Sequence, residues 1–140
     1  MAKLSYPAKK DFITFVSTIK DSNYSIKKYL PPITTKWYTL ISECVDYVRD
    51  TSIYEEDLTA HDVMARILYK VAKRHELGDG NKRSAVISVY LFCLVNDYFV
   101  VDPKQLKKQA KRVASTKGRT NENIMKKRIA NSFKETIHQL

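Results

Sequence analysis

The amino-acid sequence predicts an all-α fold, a single domain spanning residues 1–140 and built as a bundle of six or seven helices. Three observations carry that expectation. Glycine and proline are scarce, at 3 and 4 residues of 140, while helix formers dominate. Apolar residues recur at a helical period in one segment after another. Helix start and stop signals fall at the edges of those segments.

In chain order, Phe12, Phe15, Val16 and Ile19 share one face of a first helix over 8–20. A short turn from Tyr24 to Leu30 is halted by Pro31-Pro32, whose rings clash with a continuing helix. From Thr34 to Arg49, Trp37, Leu40, Ile41, Cys44, Val45 and Val48 make one apolar face. Residues 50–58 lack a period and read as a connection. Thr59-Ala60-His61-Asp62 has the form of a capping box and opens a helix to Arg74, with Val63, Ile67, Leu68 and Val71 inward. His61 reads as a neighbour of that cap, not a catalyst. A helix over 81–96 is apolar on nearly every side and belongs at the centre of the bundle. Asn96-Asp97 ends it, and Tyr98–Val101 is a short extended piece. Asp102 with Pro103 starts a helix to about Ser115. Gly118 punctuates, and a last helix covers 121–137 with Ile124, Ile129, Phe133 and Ile137 as its buried residues.

Composition limits the functional classes. A hydrophobic fraction of 44% excludes disorder, and the single short apolar run excludes a membrane span, which needs about 20 apolar residues. The first residues contain no apolar signal segment. Cys44 and Cys93 lack Cys or His partners at metal spacing and read as buried, reduced thiols of a cytoplasmic protein. The net charge of +10 raises nucleic acid as a partner, and ten Lys/Arg between Asp102 and Arg128 face only two acids. Such a run reads first as a solvated helix face. Stacking on bases wants aromatics interleaved with the charge, and this segment has none, which weighs against nucleic acid.

Chemistry concentrates in residues 75–85, His-Glu-Leu-Gly-Asp-Gly-Asn-Lys-Arg-Ser-Ala. Two of the three glycines fall here, just before the apolar helix. Glycines at a helix start permit φ > 0, so that successive N–H groups can converge on an anion. The helix's free N–H groups and dipole add to that cup, and Lys82 and Arg83 supply full charges. Both cations oppose the helix dipole, which favours an anion between them. Asp79 is placed to hold Mg²⁺ among phosphates, and His75 is the residue suited to take a proton near neutral pH. Gly-Asp-Gly-Asn is also ordinary turn chemistry. A Walker A loop is excluded, because Asn81 separates Gly80 from Lys82.

The stretch resembles the signature of the Fic/Doc family, His-x-Phe-x-Asp/Glu-Gly/Ala-Asn-Gly/Lys-Arg, over roughly residues 54–100 of the chain. His75, Asp79, Gly80, Asn81 and Arg83 match it position by position, while Leu77 replaces the phenylalanine and plugs the loop into the core. Lys82 stands where AMP-transferring members carry glycine, and Val86 where many carry a second arginine. Both departures are those of the Doc (death-on-curing) toxin branch, as is Tyr54-Glu55-Glu56 upstream.

The resemblance implies a Fic-type bundle with a flap near 51–57 that aligns a target polypeptide by strand-like pairing. It implies ATP and Mg²⁺ as cofactors, His75 as catalytic base, Asp79 as metal ligand, and Gly80, Asn81, Lys82 and Arg83 around the nucleotide. Glu76 and Ser84 receive no role. Lys82 is associated in that branch with a reversed nucleotide, so that the γ-phosphoryl is transferred to a protein hydroxyl. The target implied is a translation elongation factor. No Ser/Thr-x-x-x-Glu-Gly/Asn inhibitory motif occurs, since Thr39-x-x-x-Glu43 is followed by Cys44. An antitoxin acting in trans is then the expected regulator. Two alternatives stand beside this one: AMP transfer by the same loop, and a non-enzymatic basic helical module that binds nucleic acid or an acidic protein through 102–128.

Overall fold

The computed structural model describes residues 3–116 and 121–140 and is helical, as the sequence predicts. Six α-helices are present among the described residues: α1 (Lys9–Lys20), α2 (Thr35–Ser52), α3 (Ala60–Ala72), α4 (Asn81–Val95), α5 (Pro103–Ser115) and α6 (Glu122–Thr136). Two 3₁₀ segments, Ser25–Tyr29 and His75–Gly80, join them, and β1 (Tyr98–Val100) pairs antiparallel with β2 (Ile137–Gln139). No helix is long and apolar enough to cross a membrane among the described residues.

Local chemistry sets the helix ends. Thr34 Oγ1 accepts the Trp37 N–H at 3.2 Å, and Asp102 accepts from Lys104 N at 3.0 Å ahead of Pro103. Thr59 and Asp62 close a reciprocal capping box, with Thr59 N donating to Asp62 Oδ2 at 3.0 Å and Asp62 N to Thr59 Oγ1 at 3.1 Å. Asp97 takes the left-handed conformation at φ 61° and ends α4.

Helix α4 lies at the centre. From Ser84 to Val89, and again from Leu91 to Cys93, every residue is buried, so neighbours cover it on all sides. Helix α3 packs along it, with α5 and the 98–100 strand on its other flanks. Phe12, Ile41, Ile67, Leu68, Leu106 and Phe133 are fully buried around it. Both cysteines are free and buried, and burial pushes the Cys93 thiol up to about 12.

Two boundaries and one burial differ from the sequence reading. Thr51 and Ser52, placed in the flap, are the last residues of α2; the irregular connection runs from Ile53 to Thr59. Ile137 leaves α6 and pairs with Val100, a contact between strands far apart in the chain that local periodicity cannot report. Ile124 is half-exposed, not buried: five residues before Ile129 places it about 140° around the helix, and the inward stripe is Ile129, Ala130 and Phe133. Gly118 lies outside the described residues. His61 accordingly serves structure, with Nε2 2.7 Å from the Ile137 carbonyl and its ring edge-on to Tyr98.

Candidate functional site

The signature residues form the turn between α3 and α4. Arg74, extended at ψ 101°, ends the run of helix, and His75–Gly80 makes a 3₁₀ turn broken at Gly78. Gly78 has φ +56°, the conformation a side chain resists, so one of the two glycines does what the sequence predicts. Gly80 does not. Its φ is −83°, and its role is clearance: a Cβ there meets Pro31 Cβ at 3.0 Å. The Pro31-Pro32 segment is thereby seated against the start of α4.

Two contact sets hold the turn. At one end Arg74 bridges Glu43 of α2 at 2.8 Å and Glu76 at 3.0 Å, so Glu76 has a partner after all. At the other, Trp37 Nε1 donates to Ser84 Oγ at 2.8 Å and Ser84 Oγ donates to the Gly80 carbonyl at 2.6 Å. Trp37 is itself buried and meets Phe12 edge-on, so the Gly80 carbonyl is tied to the core through two hydrogen bonds. Ser84 was assigned no role from sequence; nothing local marks a serine whose partner lies 47 residues away.

A cleft of about 460 Å³ opens over the start of α4. Pro31, Pro32, Trp37 and Leu77 form its apolar walls, and Asp79, Gly80, Lys82, Arg83, Lys107 and Lys111 its polar ones. Four of the six expected site residues therefore meet here: Asp79, Gly80, Lys82 and Arg83. Asn81 does not reach it in the manner predicted. Its Nδ2 donates to the Ala72 carbonyl at 2.6 Å and its Oδ1 accepts the Lys82 N–H at 2.9 Å, so its side chain joins the end of α3 to the start of α4. His75 is exposed at the far end of the turn and does not line the cleft.

Lys107 and Lys111 are the residues sequence reasoning missed. They stand one turn apart on α5, beside the buried Leu106 and Ala110, within the run that the sequence presents as a solvated face. The packing of α5 on α4 brings them to Lys82 and Arg83. Burial, and then the charges of Arg83, Lys111 and Lys82, hold the Lys107 ammonium below its ordinary range. Among the described residues none of these four cations has an acidic side chain within ion-pair distance.

Four unpaired cations, one carboxylate and a helix start suit a ligand carrying several negative charges. No group of three His, Cys, Asp or Glu able to hold a metal occurs among the described residues. Asp79 alone fits a magnesium ion that arrives on a phosphate chain, because that ion keeps its waters and takes only one or two carboxylates from a protein. Comparison of the chain with protein-family models, with curated proteins and with solved structures found no match.

Proposed function

We propose that the chain is a Doc-type transferase that moves the γ-phosphoryl group of ATP to a hydroxyl of a target protein. The observation that carries this is the convergence of Lys82, Arg83, Lys107 and Lys111 with Asp79 over the start of α4. The triphosphate lies in that cleft, neutralised by Arg83 and the two α5 lysines. Asp79 would hold a magnesium ion arriving with the nucleotide, and that ion would supply charge neutralisation along the phosphates. His75 accepts the proton of the attacking hydroxyl as the new O–P bond forms and the bond to ADP breaks. Its exposure leaves it open to a hydroxyl presented by another protein. Catalysis of this kind is positioning and electrostatics. Asn81 acts through the backbone, fixing Lys82 and the end of α3.

Phosphoryl transfer is favoured over AMP transfer by two positions. Lys82 lines the cleft at the position where AMP-transferring Fic proteins carry glycine, and Val86, where many of them carry a second arginine, is fully buried. With no Ser/Thr-x-x-x-Glu-Gly/Asn motif in this sequence, control is assigned to an antitoxin in trans, and a translation elongation factor is the proposed target. Incubation with bacterial lysate and ATP labelled at either the α or the γ phosphate tests the reading. Transfer of γ label is expected. Lys82→Gly should abolish it, and α label on the target from the wild type refutes the kinase assignment.

A further inference from the structure

We propose that the outer face of α5 binds the sugar–phosphate backbone of a nucleic acid, without regard to base sequence. Lys104, Lys107, Lys108 and Lys111 follow i, i+3, i+4, i+7 spacing and so share one face of the helix. They line a second depression of about 290 Å³ with Tyr29, continuous with the signature cleft through Lys107 and Lys111. Lys28 adds to the same patch: its Nζ lies 5.3 Å from the centre of the Tyr29 ring, and that of Lys107 lies 5.7 Å from it. Among the described residues none of these lysines is paired with an acid. The cleft's own cations already exceed what a magnesium-bound triphosphate neutralises, so Lys28, Lys104 and Lys108 are left for a second anion.

The chemistry of the face selects the kind of anion. An acidic protein docks tightly through buried apolar anchors, with charge at the rim. No large apolar residue is exposed on α5, so such a partner finds nothing to bury. A phosphodiester chain needs no anchor, because release of its counterions supplies the free energy. The lysines repeat once per helical turn, about 5.4 Å, and present a row of charge to a row of phosphates. Tyr29 is buried beneath Lys28 and Lys107, so it stacks on no base, and recognition stops at the backbone. The absence of aromatics between 102 and 128 therefore argues against reading bases, not against holding phosphates.

The test uses the whole chain and a fluorescein-labelled oligoribonucleotide of mixed sequence, followed by anisotropy between about 50 and 200 mM salt. Binding that weakens steeply with salt is expected. The exposed double variant Lys104→Gln/Lys108→Gln should lower the slope of log affinity against log salt by about 0.7 per lysine removed. Its melting temperature should match the wild type, and so should its titration by ATP–Mg²⁺ through the emission of Trp37. That second readout keeps this inference apart from the transferase reading: either can fail alone. Absence of binding at low salt, or an unchanged slope in the double variant, overturns the proposal. So does tighter binding of polyglutamate at equal charge, which makes the partner an acidic protein, or of inorganic polyphosphate at equal phosphate count, which makes it free phosphate chains.

Discussion

Two clefts of similar size differ in how their charges are spent. The cleft over α4 measures about 460 Å³ and holds four cations with no acidic partner among the described residues. The other, about 520 Å³, lies under the 53–59 connection and is lined by Glu55, Asp62, Arg66, Lys126 and Lys127 among others. There every cation is paired: Arg66 with Glu55, Lys126 with Glu122 at 3.6 Å, and Lys127 with Asp62 at 3.8 Å. Arg66 also donates to Ser52 at 3.2 Å, which ties the end of α2 to α3. Paired charge holds elements together and leaves little field for a ligand. Unpaired like charge destabilises the free protein and is relieved when an anion arrives. By that criterion the smaller cleft is the proposed site, and the larger one is scaffold.

The largest effect is expected at His75, the proposed base. His75→Ala should lower transfer by about 10²–10⁴-fold, the range for loss of a general base, with nucleotide binding unchanged. A variant that keeps the wild-type rate removes His75 from the mechanism while leaving the contrast between the clefts intact. The contrast itself is tested by Arg83→Ala against Lys127→Ala. The first should weaken ATP–Mg²⁺ by about 2–3 kcal/mol, or roughly 30- to 150-fold, in a titration of Trp37 emission. The second should not move it. Equal losses from both mean that charge pairing does not separate site from scaffold.

Stability should show the reverse order. Thr59→Ala removes the cap of α3 and should cost about 1 kcal/mol in denaturant unfolding, with nucleotide affinity unaffected. Asp62 adds a pH signature. Burial raises its carboxyl, but the Thr59 backbone and hydroxyl hydrogen bonds and the charge of Lys127 outweigh it, and the net shift is downward. A lowered carboxylate stabilises above its unfolded pKa, and that stabilisation disappears as pH falls through the folded one. Acid unfolding should therefore be shallower in Asp62→Asn than in the wild type. The smallest effect belongs to Lys107. Its folded pKa is lowered, so the unfolded chain holds that proton more tightly and stability rises as pH climbs toward the ordinary lysine value. Lys107→Gln should stabilise the free protein by no more than about 0.5 kcal/mol, while weakening nucleotide binding. A destabilised variant contradicts the like-charge reading.

Much of this was legible in the chain. The helices followed from period and caps, because both are local: Pro31-Pro32, Thr59 with Asp62, and Asp102-Pro103 mark the ends that the structure shows. The central place of α4 followed from apolar residues on all its sides. The cluster of Asp79, Gly80, Lys82 and Arg83 was legible because four residues in one turn cannot be far apart. Roles inside the turn were less so. Asn81 and Ser84 carry groups that suit a ligand or the backbone equally, and only their partners, Ala72 and Gly80 with Trp37, decide between the two.

The sequence by itself determined the class of fold, the helix boundaries to within a residue or two at most ends, and the turn where polar chemistry gathers. These depend on interactions within a few residues, where spacing along the chain is spacing in space. Tertiary structure alone decided that α5 lies beside α4, that Lys107 and Lys111 complete the wall begun by Lys82 and Arg83, and that the last residues pair with 98–100. It also decided that Gly80 is a clearance for Pro31 and not a left-handed turn. The reason is physical: which helices meet is set by the shapes of buried faces summed over the whole core, and a lysine on a polar face records nothing of what that packing places opposite it.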